Sequence, residues 1–449
     1  MIQFIPSGYQ STCPYCVRPF HPADALLRPF SGSGIPEALD TTIAEFFGGT
    51  TKAQPLPVPL KRSELAAWIV AHPRRASRTT AAAAAPPASS INPMAPPLAA
   101  LGTPTRQPSF SWLRRMFVHT PKGALGRWIC PHCHLPLPPA AARGEVSPRP
   151  LAIIGPAASG KSNWIAVLVR QLFDRYSSEL KFSIVPLETW SYKGWVPISS
   201  AELYQERYGR FIYAARHVEK TVVPKTDNAP DVRVPLIYRL TFENGKVLDL
   251  SLFDAAGEIT KSQESLHEFG YYIANSSGII FVLDPYQLSG FRDQLSDESG
   301  SSPGHREDRG QERMIGSVTQ YFETIASAAE RATARRMPVA LAISKADEFN
   351  GRVHPGSAVL ADRGHREGFD EVDSLQVHAE VLSLVDTWGG RNDVAPLMNT
   401  FKRSRLFAFS ALGKRPDSGG GVGEVNPRRA GDPLLWLLSE LGYIRRRHG

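Results

Sequence analysis

Residues 151–162 read Leu-Ala-Ile-Ile-Gly-Pro-Ala-Ala-Ser-Gly-Lys-Ser, an apolar run that ends in the spacing GxxxxGKS. That spacing is chemistry for phosphate. Gly155 and Gly160 let the backbone curl, with Pro156, Ala157, Ala158 and Ser159 forming the turn between them, so that N–H groups point at one β-phosphate. Lys161 reaches the β- and γ-phosphates, and the Ser162 hydroxyl ligates Mg2+. A helix starting near Lys161 adds its positive N-terminal end. A chance glycine-rich turn before a helix is the competing reading. The buried-type strand before it and the amphipathic stretch after it (Ile165, Leu168, Val169, Leu172, Phe173) argue against that.

A second constellation, Leu-Ser-Leu-Phe-Asp-Ala-Ala-Gly-Glu at 250–258, ends an apolar run in Asp254 with Gly257 three residues later. In a phosphate site Asp254 would hold Mg2+ through a water, and the Gly257 N–H would face the γ-phosphate. Read alone, these residues also fit an ordinary strand-to-turn transition.

The four cysteines form two matched knuckles, Cys13-Pro-Tyr-Cys16 and Cys130-Pro-His-Cys133. Four thiolates at this spacing suit a structural Zn2+. A redox CxxC needs one pair and a thioredoxin-like setting, and paired disulfides suit an oxidising compartment. His132 and His134 could substitute as ligands, but four thiolates already complete a tetrahedron. The knuckles predict a split zinc ribbon, residues 1–16 and 128–149, interrupted by an insert at 17–127. Closing so long a loop costs little extra entropy, because the penalty grows only logarithmically.

Elements that could hold these groups follow from the pattern after residue 150. Apolar runs of strand length recur at Leu151–Ile154, Leu248–Phe253, Gly278–Leu283, Val339–Ile343 and Leu406–Phe409, and helix-like stretches separate most of them. Val234–Phe242 alternates and reads as a half-exposed strand. Such alternation predicts an α/β fold: a mostly parallel sheet with helices on both faces, occupying 150–449. Ligands in such folds lie at the carboxyl ends of the strands, where the motifs fall. The last helix is expected to start with Asp432 as N-cap and Pro433 at its first position.

The first 150 residues carry 15 Lys+Arg against 6 Asp+Glu and the rest 36 against 37, so the net charge of +8 comes from the N-terminal third. Residues 71–110, rich in Ala, Pro, Ser, Thr and Arg, cannot build a core and read as a disordered linker. The arginines there could touch nucleic acid or an acidic surface, but a solvated basic linker is the favoured account of them. No run approaches the ~18 apolar residues of a membrane span. The first ten residues lack a charged start followed by an apolar core. A cytoplasmic protein is the default expectation.

A third motif, Ser344-Lys345-Ala346-Asp347 after an apolar strand, resembles the NKxD base-reading motif of translation-factor-related (TRAFAC-class) P-loop GTPases. The resemblance implies that Asp347 accepts two hydrogen bonds from guanine, which adenine cannot donate, and that the Lys345 stem packs over the base. Ser344 stands where the family has Asn. Ser410-Ala411-Leu412 is similar to the loop in which a backbone N–H meets guanine O6. A switch threonine that closes on Mg2+ and the γ-phosphate is assigned to Thr226, with Thr221 as competitor. Glu258 stands where the family places Gln or His to orient the attacking water. Its charge beside a polyanion implies slow hydrolysis or dependence on a partner.

The resemblance spans 150–449 with insertions, mainly 176–222 and 350–400; Lys161 and Asp254 lie 93 positions apart. A ribbon followed by GPxxSGKS, DAAGE and DPxxWLL looks like bacterial zinc-ribbon-bearing proteins of the double-GTPase type. That likeness implies protein partners in a multicomponent signalling or conflict system. The expected function is therefore a GTP- and Mg2+-dependent switch with slow or partner-stimulated hydrolysis. The alternatives are an ATPase, with Asp347 a capping residue, and a non-catalytic nucleotide-stabilised scaffold that binds protein or nucleic acid through the ribbon.

Overall fold

The computed structural model describes residues 8–31, 33–47, 55–71, 119–120, 123–124, 126–191, 196–217, 234–256, 263–299, 310–362, 364–417 and 419–448. The linker expected at 71–110 lies outside these residues beyond Ala71. The chain divides into two compact units. The first comprises 1–148, 186–201 and 226–238; the second comprises 149–185, 202–225 and 239–449.

In the first unit, Leu26–Pro29 pairs antiparallel with Gly126–Ile129, and Ser11–Thr12 pairs with Pro19–Phe20. A hairpin of Glu188–Ser191 and Val196–Ser199 belongs to the same unit. Its small core includes Leu27 and Leu65, with Leu60, Trp68 and Trp128 against them. The Arg62 guanidinium lies 4.3 Å over the Trp128 ring and donates to the Ala142 carbonyl, which pins the 62–71 helix to the segment after the second knuckle.

A seven-stranded sheet lies in the second unit apart from Pro186 and Leu236–Tyr238. Its strands are β1 (Arg149–Gly155), β2 (Phe182–Pro186), β3 (Leu236–Phe242), β4 (Val247–Ala256), β5 (Gly278–Leu283), β6 (Pro338–Ile343) and β7 (Arg403–Ala408). They lie in the order β2-β3-β4-β1-β5-β6-β7. The pairs β4/β1, β1/β5, β5/β6 and β6/β7 are all parallel. Every residue of β5 and β6 is buried, as expected of apolar strands covered on both faces. Helix α1 (Lys161–Gln171) follows β1 directly and buries Trp164 through Val169. Helices α2 (Gln263–Asn275), α3 (Gly310–Gln320), α4 (Glu371–Thr387) and α5 (Asp432–Glu440) follow in order. Helix α5 packs on β5 and β6, with the Trp436 ring 5.8 Å from that of Phe407.

The cap of α5 differs from expectation. Gly431 is the N-cap and Asp432 is already helical. The Asp432 carboxylate is spent elsewhere: Oδ2 accepts from Arg429 Nη1 at 2.8 Å, and Oδ1 lies 3.0 Å from His365 Nε2. Among the described residues no helix is long and apolar enough to cross a membrane.

Candidate nucleotide and metal sites

The register of β4 on β1 pairs Asp254 with Ile153 and Ala256 with Gly155. Both strands therefore end at the same rim, and the turn Gly155–Gly160 begins where the Asp254 side chain emerges. Gly155 is required by close approach, since a Cβ there would fall 2.4 Å from the Val282 carbonyl oxygen on β5. Gly160 has φ +88° with open space beside it, and Ala158 has φ +59°. Residues in such left-handed turns direct successive N–H groups into one concavity suited to an anion.

Five side chains meet at this turn. Lys161 Nζ donates to the carbonyls of Gly155 (2.6 Å) and Pro156 (2.9 Å). Ser162 Oγ donates to Asp254 Oδ2 at 3.3 Å. Tyr208 donates to the same carboxylate oxygen at 3.4 Å. Ser159 Oγ is fully buried and has no hydrogen-bond partner among the described residues. A buried hydroxyl without a partner costs on the order of 1–3 kcal/mol. A phosphate oxygen would satisfy Ser159, and it would also replace the two carbonyls as the natural partner of the Lys161 ammonium. Burial, and after it the Asp254 charge, push the Tyr208 phenol up.

One, two and three strands along from β1, the ends of β5, β6 and β7 carry a second cluster. Ser344 donates both its N–H (2.9 Å) and its hydroxyl (3.1 Å) to the Leu283 carbonyl. Lys345 is left-handed (φ 56°) and its Nζ pairs with Asp284 Oδ2 at 2.7 Å, 4.9 Å from the centre of the Tyr286 ring. Asp347 Oδ1 accepts from Ser410 Oγ at 2.5 Å, and Ser410 Oγ accepts from the Gly413 N–H at 2.9 Å. The Ala346 N–H donates to the Phe409 carbonyl at 3.0 Å. The segments 344–347 and 410–412 thus form one hydrogen-bonded ledge, with Ala411 and Leu412 buried. Thr226, Thr221, Gly257 and Glu258 lie outside the described residues.

The four cysteines come together in the first unit. Their Sγ atoms all lie within 4.8 Å of one another, with Cys13–Cys133 at 3.7 Å and Cys16–Cys130 at 3.8 Å. Sulfurs placed tetrahedrally about 2.3 Å from one ion are about 3.8 Å apart, so this donor set fits Zn2+. The cysteines are free thiols, not disulfides. Each knuckle repeats the same geometry. The Tyr15 and His132 N–H groups donate to Cys13 and Cys130 Sγ (3.4 and 3.3 Å), and Val17 and His134 are left-handed (φ 52° and 57°). Burial pushes the Cys13 and Cys133 thiols well up; hydrogen bonds from Cys13, then Cys130, push Cys16 down. Both histidines have other partners: His132 Nε2 lies 3.2 Å from the Pro19 carbonyl, and His134 Nδ1 lies 2.9 Å from Asp40.

Sequence reasoning missed Tyr208, Asp284 and Asp40. Asp284 ends an apolar strand just as Asp254 does, and that shared position was the available signal. Tyr208 lies in an aromatic-rich insert with no motif of its own.

A model of the Double-GTPase 2 family matches residues 149–389, more than half of the 449-residue chain. A protein of Mycolicibacterium smegmatis named "Putative ESX-1 scaffolding and assembly protein SaeC" is 28% identical over 335 residues, covering 70% of this chain and 80% of that protein.

Proposed function

Because the chain belongs to the Double-GTPase 2 family, we propose that residues 150–449 bind GTP with Mg2+ and act as a nucleotide-dependent switch. The observation that carries this reading is the meeting of Ser162 and Asp254 beside Lys161, at the carboxyl ends of two adjacent parallel strands. In this reading Gly155, Pro156, Ala157, Ala158, Ser159 and Gly160 form the phosphate loop of a P-loop fold. Lys161 exchanges the carbonyls of Gly155 and Pro156 for β- and γ-phosphate oxygens. Ser162, Asp254 and Thr226 hold the metal side. When bound, Mg2+ would supply neutralisation of the phosphate charge.

Asp347 reads guanine, with Ser410 tethering one carboxylate oxygen, and Lys345 covers the base. The ledge of Ser344 and Ser410–Leu412 lies two strands or more from β1, about 10 Å at ordinary strand spacing. A ribose and α-phosphate bridge such a gap. Gly257 meets the γ-phosphate. Glu258 near that charge makes unassisted hydrolysis slow, so turnover depends on a partner. The four cysteines hold Zn2+ in a ribbon that presents the nucleotide state to other proteins.

The scaffolding and assembly name of the mycobacterial relative supports a place among protein partners in a bacterial multicomponent system. It also supports the second reading, a nucleotide-stabilised scaffold without turnover. The test is titration of the purified chain with fluorescent GTP and ATP, with and without Mg2+, followed by phosphate release. Mg2+-dependent preference for GTP supports the proposal. Preference for ATP replaces it with an ATPase, and tight GTP binding with no phosphate release even in prolonged single-turnover incubation leaves the scaffold.

A further inference from the structure

The insert between α1 and β3 contains an eleven-residue π-helical run, Gln205–Ala215, and Tyr208 sits inside it. Runs of this kind are rare and are frequently found at functional sites. This one is anchored at both ends. At its start, the Tyr204 hydroxyl donates to the Ala166 carbonyl of α1 at 2.7 Å. At its end, Arg216 is left-handed and its carbonyl accepts from the Val422 N–H at 2.7 Å, while His217 Nε2 lies 2.8 Å from the Gly419 carbonyl. The buried Tyr208 ring packs at a tilt of 40° beside Tyr204, with centroids 6.4 Å apart, so packing restricts the hydroxyl direction. That hydroxyl meets Asp254 Oδ2, the oxygen that Ser162 also approaches.

We infer that Tyr208 is a positioning residue for the metal side of the site, fixing the rotation of the Asp254 carboxylate. This rests on the reading of Asp254 as the carboxylate that holds Mg2+ through water. A carboxylate held by one hydroxyl can still turn about its Cβ–Cγ bond, whereas two donors from different elements lock its plane. The lock comes from an insert, so the metal affinity of this chain is set partly by a segment outside the phosphate-binding motifs. Groups that orient a metal's immediate partners change affinity by about 10- to 100-fold when removed. Both hydrogen bonds here are long, which places the expected effect near the lower end.

The experiment measures the Mg2+ concentration needed for half-maximal GTP binding to the full chain, together with GTP affinity in EDTA and thermal stability without nucleotide. Tyr208→Phe keeps the ring and removes the donor; Tyr208→Met is a second donorless variant with different packing. The expected result is a rise in the Mg2+ midpoint of about tenfold in both, with EDTA affinity unchanged. A merely structural role would lower stability and EDTA affinity together. An unchanged Mg2+ midpoint in the donorless variants, with Asp254→Asn shifting it, overturns the inference and spares the site. A midpoint indifferent to Asp254→Asn as well overturns both.

Discussion

Ser162 and Asp254 are 92 positions apart in the chain, and Ser162 Oγ donates to Asp254 Oδ2 at 3.3 Å. The sheet register makes this meeting, because β1 delivers the serine through a tight turn and the adjacent β4 delivers the aspartate at the same level. A hydroxyl that donates to the carboxylate keeps its lone pairs for another partner.

Removing that hydroxyl by Ser162→Ala should weaken GTP binding in Mg2+ by about tenfold or more. Binding in EDTA should change by less than about threefold, since the backbone N–H groups and Lys161 do not depend on the serine. Calorimetry in the two buffers measures the difference. Equal losses in both would mean that the serine serves the fold and not a metal.

Asp347 is held by Ser410 at 2.5 Å, so one of its carboxylate oxygens is tethered before any base arrives. Asp347→Asn turns an acceptor pair into one donor and one acceptor. The variant should lose about 10- to 100-fold in GTP affinity, as hydrogen bonds to charged groups predict, and gain xanthosine triphosphate, whose added carbonyl accepts from an amide. Competition between the two nucleotides reads the exchange. Unchanged selectivity would assign Asp347 to capping the turn at 346–349.

Much of this arrangement is legible in the sequence for a physical reason. A strand buried on both faces must be apolar throughout, so Gly278–Leu283 and Val339–Ile343 announce themselves. The knuckles are legible because a metal restricts ligand spacing more tightly than packing restricts anything. β2 at Phe182–Pro186 is not legible: it alternates between buried and exposed positions over only five residues, so no apolar run marks it. The 205–215 run hides because π-helical spacing shifts its aromatic residues off the 3.6-residue period. Asp432 reads as a helix cap by type and position, and only the structure shows Arg429 and His365 competing for it.

The cysteine cluster predicts one zinc per chain by metal analysis of protein purified without added metal. Chelation should expose residues 8–47 and 126–148 to limited proteolysis while leaving 310–448 protected, because the metal supplies folding energy only where its ligands lie. Cys130→Ser should reproduce the chelator's pattern. Full protection after chelation would mean that the Leu27, Leu65 and Trp128 packing suffices without metal.

Arg429 is 2% exposed, and its guanidinium is consumed by Asp373 (2.7 and 2.9 Å), Asp432 (2.8 Å) and the Ala358 carbonyl (2.9 Å). The adjacent Ala430 carbonyl accepts from Trp164 Nε1 on α1 at 2.7 Å, so the network braces the helix that carries Lys161. Arg429→Ala leaves two buried carboxylates short of their partner and should cost about 3–5 kcal/mol. The pH dependence has a definite sign. Burial alone would lower the His365 pKa, but the Asp432 charge and hydrogen bond raise it overall. A raised histidine contributes stability that is full below its unfolded value, about 6.5, and is lost as pH rises through the higher folded value. Burial would likewise raise Asp432, but His365 and Arg429 lower it, so its contribution is present above about 3.8 and lost as pH falls through the lower folded value. Thermal melts should therefore show a plateau between about pH 4 and 6.5 and a decline above it that His365→Gln flattens. A variant whose melting temperature falls with rising pH as steeply as the wild type's would remove His365 from this account.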